Sequence, residues 1–197
     1  MKLYACKYAF ISDLEEEAHI SEVKQILNAL RLFCLNGIIC PITYNDKTPG
    51  LRFIYPLVSQ FKQKSFTDGE FREVLRLKSI LPRIDPEDIN MLSAVIEQGY
   101  SMISLLLLVV ILERTVMKGD RNEISFKVRL FTAKLLSKYF RYNEEEVFKN
   151  VKGFYELRSK FVHKAKVPTN DEIKRVLPIL YDYVIKVLLI RARHPDI

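Results

Sequence analysis

The spacing of apolar residues changes along the chain, from alternation near the N-terminus to helical spacing after about residue 66. Residues Lys2–Ile11 alternate between two sets of side chains, a period of two that predicts a β-strand. Ser12, followed three residues later by Glu15, has the spacing of a capping box and predicts the start of a helix. Asn36-Gly37 is a stop signal, so this helix is predicted to end there.

Two more short strands are predicted in the first third of the chain. They cover Ile38–Tyr44 and Leu51–Val58, and the segment between them is rich in turn-forming residues. Pro41 and Pro56 cannot donate a backbone hydrogen bond, which restricts both strands to sheet edges. We therefore predict that residues 1–65 form a small α/β N-terminal region.

Residues 66–197 are predicted to be helical throughout. The predicted helices are Asp68–Leu81, one that opens at Asp85-Pro86, a core helix containing Ser104–Leu112 that stops near Gly119, Asn122–Phe140, one that starts at Asn143, and a last helix after Pro168 that Thr169 or Asn170 caps. Pro178 should kink the last helix or delay its start. The predicted fold class is mainly α, a helical bundle with a small α/β appendage.

The apolar run Ser104–Leu112 has the composition of a membrane segment but not the length. Glu97 and Glu113 bracket only fifteen residues. A membrane-spanning helix needs roughly twenty predominantly apolar residues. The run is therefore predicted to be a buried core helix, and no membrane partner is expected.

The charge of the chain is uneven. It has 31 Lys and Arg against 24 Asp and Glu, a formal net charge of +7 over 197 residues. Residues 151–197 contain ten of these cations and five acids, so this last quarter carries +5 of the total. Such a balance permits an anionic partner such as RNA.

The cysteines and histidines point away from disulfides and metal sites. Three cysteines without a C-x-x-C pair do not make a disulfide framework, and three widely spaced histidines do not make a zinc pattern. The first residues lack the apolar core of a signal peptide. We therefore expect a cytoplasmic protein that uses no metal and no cofactor.

The candidate chemistry lies in the segment from Tyr155 to His163. Arg158 and His163 stand five residues apart in a predicted helix. Histidine can take and give a proton near neutral pH, and arginine is a permanent cation whose planar fork matches two phosphate oxygens. The pair suits RNA cleavage without a metal, in which a base activates the ribose 2′-hydroxyl and a cation stabilises the phosphorane. The alternative is an ordinary Arg–His pair on a solvated helix face.

The neighbours of Arg158 extend this candidate site. Lys160, Lys164 and Lys166 add positive charge, with no acid between Arg158 and Lys166. Tyr155 is a candidate for stacking a base or binding a phosphate, or else an amphipathic residue at the core edge. Ser159 either orients Arg158 or has no role.

Three pieces of sequence resemble the HEPN superfamily, most closely its Apea-like members. Residues 123–136 have an acid, Glu123, then Arg129 about two turns later, then alanine and two leucines. Residues 147–155 resemble the segment that precedes the family's signature Arg-x4-6-His helix. That helix itself is resembled by Tyr155-x-x-Arg158-Ser159-x-x-Val-His163. Residues 28–37 are similar to sequence upstream of such domains. Glu123 and Arg129 either approach the active-site cleft that the resemblance implies, or they are a helix-end charge and a surface cation.

The resemblance implies a HEPN-like bundle at residues 66–197 that forms a homodimer with two Arg-x4-6-His helices facing one cleft. Many members are metal-independent endoribonucleases of toxin, phage-defence or RNA-processing systems, in which a partner protein or antitoxin takes part. Others are non-catalytic RNA-binding or regulatory modules. This chain has Lys164 where Apea-like members usually have glycine, and Ala165 where one toxin branch has a modified tyrosine.

Helix geometry limits how Arg158 and His163 can share a site. Five residues turn a regular helix by about 140° modulo a full turn. Either the helix frays at Lys164–Pro168, or the site combines residues of two protomers.

Overall fold

The computed structural model describes residues 67–117, 123–164 and 167–196, together with residues 25–26, 28–29, 32, 42–43 and 52–53. The predicted strand Lys2–Ile11, the cap at Ser12 and Glu15, and the stop at Asn36-Gly37 lie outside these residues. The division of the chain at residues 65–66 stays a prediction.

The described part of the N-terminal region contains one short strand pair. Strand β1 is Ile42–Thr43 and strand β2 is Arg52–Phe53, paired antiparallel with Ile42 opposite Phe53. Both lie inside the predicted strands. Ala29 is helical and buried, and it belongs to the same apolar cluster as the core of the helices that follow.

The rest of the described chain is a helical bundle, which confirms the mainly α prediction. Its helices are α1 Asp68–Lys78, α2 Pro86–Gln98, α3 Met102–Val116, α4 Ile124–Phe140, α5 Glu144–Lys164 and α6 Asn170–Arg193, with a 3-10 turn at Leu81–Arg83 between α1 and α2.

Local caps set where these helices begin. Asp85 caps α2 by accepting a 2.8 Å hydrogen bond from the Glu87 amide, and Pro86 follows at the first helical position. Thr169 caps α6 through a reciprocal capping box with Glu172. Both starts agree with the sequence, which left the second open between Thr169 and Asn170.

The structure bears on two predictions about prolines. Helix α1 ends at Lys78 rather than Leu81, because the Ser79 amide bonds back to Arg76 and the chain tightens into the 3-10 turn that contains Pro82. Of the two alternatives for Pro178, a delayed start is wrong, because the last helix begins at Asn170 and continues through Pro178. Eleven side chains of this helix are buried, and their packing stabilises it despite the donor that Pro178 lacks.

A glycine turn separates α2 from α3. Gly99 has φ 61° and ψ −144°, a conformation that side chains disfavour. The buried Ser104 hydroxyl donates to the Gly99 carbonyl at 2.7 Å, and Ser101 caps α3. These bonds satisfy polar groups at a sharp bend in the interior.

Helix α3 lies at the centre of the bundle, in contact with α2, α4, α5 and α6. Its buried side chains include Leu105, Leu108 and Ile111, as the prediction of a core helix requires. Within the part of the chain that the structure describes, no helix combines the length and apolar character needed to cross a bilayer.

Helices α5 and α6 have more large apolar residues than one helix stripe needs, a surplus that fits either the core or an interface between two copies. Phe154, Tyr181 and Leu188 are instead buried within the single chain, and Phe161 packs partly against the same core. Their surplus apolar surface is therefore used by the fold of one chain, and it does not itself provide a docking face.

Candidate functional site

Helix α5 carries both residues of the predicted Arg–His pair. It begins after Asn143, whose side chain accepts a 2.9 Å hydrogen bond from the Glu146 amide, and three acids occupy its first turn. It remains helical to Lys164. Arg158 and His163 are thus both inside a continuous helix, and any fraying begins after His163.

Arg158 meets two residues that fix its position, and we call Glu113, Tyr155 and Arg158 the Arg158 cluster. A terminal nitrogen of Arg158 lies 3.3 Å from the Glu113 carboxylate, which also accepts a 2.8 Å hydrogen bond from the Tyr155 hydroxyl. The Arg158 guanidinium lies 5.9 Å from the centroid of the Tyr155 ring. The cluster joins the end of α3 to the second half of α5.

The environment keeps Tyr155 protonated. Burial raises its pKa most, and the hydrogen bond to the Glu113 carboxylate raises that pKa further, while Arg158 and then Arg129 oppose the shift. A protonated Tyr155 can donate its only O–H, and it donates to Glu113. Tyr155 therefore serves here as a positioning residue at the core edge, and its hydroxyl is already engaged.

The sequence places Tyr155 and Arg158 in the candidate site but does not include Glu113. Its carboxylate is 20% exposed against 38% for the Arg158 side chain, so the ion pair is partly shielded from water. A signal was present, since Glu113 is the first charge after a long apolar run. Nothing local indicates which cation it meets, because Arg158 follows it by 45 residues.

His163 does not join the cluster. It is exposed, and it has no hydrogen bond or ion pair to any residue the structure describes. On a regular helix it stands about 7.5 Å further along the axis than Arg158 and about 140° around it. Within one chain, therefore, the side chains of Arg158 and His163 leave the helix in different directions and do not form one site.

The remaining predicted residues are distributed around the end of α5. Ser159 and Lys160 are exposed, and Lys160 is close enough to Glu172 for its charge to contribute to lowering the pKa of that carboxyl group. The side chain of Lys164 and all of Lys166 lie outside the described residues. Ser159 has no hydrogen bond to Arg158 within the described part.

Glu123 and Arg129, for which the sequence left two roles open, lie in different surroundings. Arg129 lies 5.0 Å from the ring centroid of Phe148, which stands two turns before Tyr155 on the same face of α5. Glu123 precedes α4 with φ 53° and makes no side-chain cap. Its backbone carbonyl accepts from the Phe126 and Lys127 amides, so the carboxylate itself can contribute only through its charge at the helix end.

A second charged cluster lies away from Arg158. Arg114 forms ion pairs with Asp85 at 3.0 Å, Glu87 at 2.6 Å and Asp88 at 3.1 Å. Burial raises the pKa of Asp88, against the effect of Arg114. These pairs tie the end of α3 to the first turn of α2. Over residues 67–117, 123–164 and 167–196, no three His, Cys, Asp or Glu side chains are grouped to hold a metal ion.

Comparison with known proteins adds no family to this picture. No family model, no curated protein and no solved structure matches the chain. The likeness to HEPN proteins therefore rests on the motifs quoted from the sequence.

Proposed function

We propose that this protein is a metal-independent endoribonuclease of HEPN type that acts as a homodimer in a phage-defence or toxin-like system. In this proposal the bundle is HEPN-like and residues 1–65 form an α/β appendage. The observation that carries the proposal is the arrangement on α5. One face holds Arg158 in place through Glu113, and the end of the same helix presents an exposed His163. In the sequence, Lys160, Lys164 and Lys166 follow Arg158 with no acid among them.

The reaction would be a transesterification within the RNA. His163 removes the proton of a ribose 2′-hydroxyl, and the 2′-oxygen forms a bond to the adjacent phosphorus. Arg158 stabilises the negative phosphorane, whose bond to the 5′-oxygen then breaks. The histidine of the second copy gives a proton to that oxygen. The products are a 2′,3′-cyclic phosphate and a 5′-hydroxyl end.

Two copies are needed because one continuous helix separates Arg158 from His163. Val162 and Val167 bracket His163 in sequence and are 56% and 66% exposed. Single exposed valines are common on protein surfaces, but their position beside His163 is compatible with contact to a second copy there. A two-fold axis near His163 would place the same valines opposite each other and bring the two histidines together.

Cleavage of RNA in the presence of EDTA tests the proposal. The intact protein should cleave, and mass spectrometry of the fragments should find cyclic phosphate and 5′-hydroxyl ends. His163→Ala should lower the rate by about 10²–10⁴. Lys149→Ala, an exposed cation on the same helix away from the cluster, is the matched control. Strict dependence on magnesium, or equal rates for both variants, would contradict the proposal.

The second candidate is a non-catalytic RNA-binding or regulatory module. The ion pair between Arg158 and Glu113 favours it, because a carboxylate 3.3 Å away competes with phosphate for the guanidinium. Lys164 in place of glycine points the same way. For this function we expect salt-sensitive RNA binding without cleavage, unchanged by His163→Ala.

A further inference from the structure

A second arginine lies against two aromatic rings, one of which stands two turns before Tyr155 on α5. The Arg129 guanidinium carbon lies 5.0 Å from the centroid of Phe148 and 5.7 Å from that of Phe126. The two rings meet edge to face, with centroids 6.1 Å apart. We call Phe126, Arg129 and Phe148 the Arg129 platform. It joins the first turns of α4 to the first turns of α5.

Core packing accounts for Phe148, which packs against the buried cluster, but not for Phe126. Phe126 is 47% exposed, although burying a phenylalanine side chain would stabilise the fold. Arg129 donates its Nε–H to the Ser125 carbonyl at 3.0 Å. Its two terminal nitrogens have no hydrogen bond to any described residue, which leaves four N–H donors for a ligand.

The two helices of the platform differ in charge. Helix α4 has four Lys or Arg residues and no Asp or Glu, whereas the first turn of α5 carries Glu144, Glu145 and Glu146. The cations therefore lie on the α4 side of the platform, and the Arg158 cluster adds Arg158 and one carboxylate, Glu113. An anionic polymer that reaches Arg158 would pass over an exposed ring and a guanidinium with spare donors.

We propose that the Arg129 platform stacks one unpaired base of an RNA strand whose phosphate contacts Arg158. This inference rests on the proposed RNA function and assigns its substrate as single-stranded RNA. Every base has a π-face that can stack on phenylalanine and on a guanidinium plane, whereas a duplex keeps those faces inside its own stack. The free N–H groups of Arg129 then bind the adjacent phosphate or a base edge.

Binding of RNA that cannot be cleaved tests the platform separately from catalysis. The probe is a short, fluorescently labelled RNA with 2′-O-methyl groups, single-stranded or annealed to its complement, and anisotropy gives the Kd. Phe126→Ala and Phe126→Leu should each weaken single-strand binding roughly fivefold to a hundredfold, the range for loss of one stacked base. Phe126→Tyr keeps a ring and should bind within about twofold of the parent.

Phe131→Ala is the matched control, because Phe131 is also an exposed phenylalanine of α4 but is not in the platform. It should bind like the parent protein. Thermal melting of every variant checks that the fold is kept.

Equal effects of Phe126→Ala and Phe131→Ala overturn the proposal. It is also overturned if the parent protein binds the duplex as tightly as the single strand and Phe126→Ala weakens both equally. Failure of the parent protein to bind either RNA overturns it as well. A platform that binds single strands in a protein that never cleaves natural RNA supports this inference and contradicts the nuclease. If Phe126→Leu changes neither RNA cleavage nor RNA binding, the nuclease proposal stands and the platform inference is contradicted.

Discussion

The Tyr155 hydroxyl donates a 2.8 Å hydrogen bond to the Glu113 carboxylate, which lies 42 residues earlier in the chain. The same carboxylate oxygen pairs with Arg158. One acid at the end of the central helix thus holds both a tyrosine and an arginine of α5. The relation determines where the Arg158 charge lies, and it makes Glu113 the residue on which the candidate site depends.

Removing the Tyr155 hydroxyl should destabilise the protein less than removing the Glu113 carboxylate. Tyr155→Phe deletes one hydrogen bond and leaves Glu113 paired with Arg158, so we expect a loss of about 1 kcal/mol in the free energy of unfolding. Glu113→Ala leaves a half-buried hydroxyl and a guanidinium unpaired, and we expect a larger loss of about 1–3 kcal/mol. Urea unfolding measures both, and equal losses would show that the shared acid has no special role.

Two inactive variants should restore activity when mixed, if the site draws on two chains. Arg158→Ala and His163→Ala each remove one group, and a mixed dimer would keep one Arg158 and one His163, on opposite chains. It would lack the second histidine that protonates the 5′-oxygen, so we expect only partial activity to reappear after subunit exchange, below the parent rate. RNA cleavage in EDTA, measured before and after exchange, gives the answer.

The same prediction requires a dimer in solution. Light scattering should give twice the chain mass of 23.1 kDa at working concentration. Val162→Lys should shift the protein toward the monomer, because it places a charge at the proposed contact between copies beside His163. Ile103→Lys, which changes an exposed apolar residue of α3, is the control. A strict monomer would leave the two-chain site without a basis.

The start of α6 should make stability depend on pH in the acid range. Hydrogen bonds from the Thr169 backbone amide and then from its hydroxyl lower the pKa of Glu172 below its usual 4.5. A carboxyl group with a lower pKa in the folded state adds stability above the unfolded-state pKa, and that stability is lost as pH falls through the folded-state pKa. Glu172→Gln should therefore weaken the pH dependence of the melting temperature below about pH 5.

Thr169→Ala is the companion variant. It removes the hydroxyl but keeps the backbone amide that donates to Glu172, so part of the pH dependence should remain. At neutral pH the loss of the cap should cost about 1 kcal/mol. An identical pH profile for Glu172→Gln and the parent protein would contradict the assigned role.

The central helix offers a test of the core. Leu108 is fully buried in α3, and Leu108→Ala should lower the free energy of unfolding by about 2–5 kcal/mol through lost burial and a cavity. Ile103 lies on the same helix and is exposed, so Ile103→Ala should change stability by no more than about 0.5 kcal/mol. Chemical denaturation compares the two. Similar costs would mean that α3 does not lie in the core as described.

The sequence alone determined the features that depend on near neighbours. The caps at Asp85 and Thr169 and the core helix around Leu108 were predictable, because a cap involves residues two or three positions apart and an apolar run of that length has to be buried. The placement of Arg158 and His163 on one helix followed from the same local rules. Helix periodicity also indicated that their side chains point apart.

Only the tertiary structure decided which residues from distant segments meet. Glu113 was visible as a charge at the end of an apolar run, but its pairing with Arg158 depends on how α3 and α5 are rotated against each other. The same applies to the packing of Arg129 against Phe126 and Phe148, and to the burial of Phe154, which the apolar pattern left open between core and interface. Periodicity gives each helix an apolar face but does not specify the helix against which that face packs, because many packings bury similar areas.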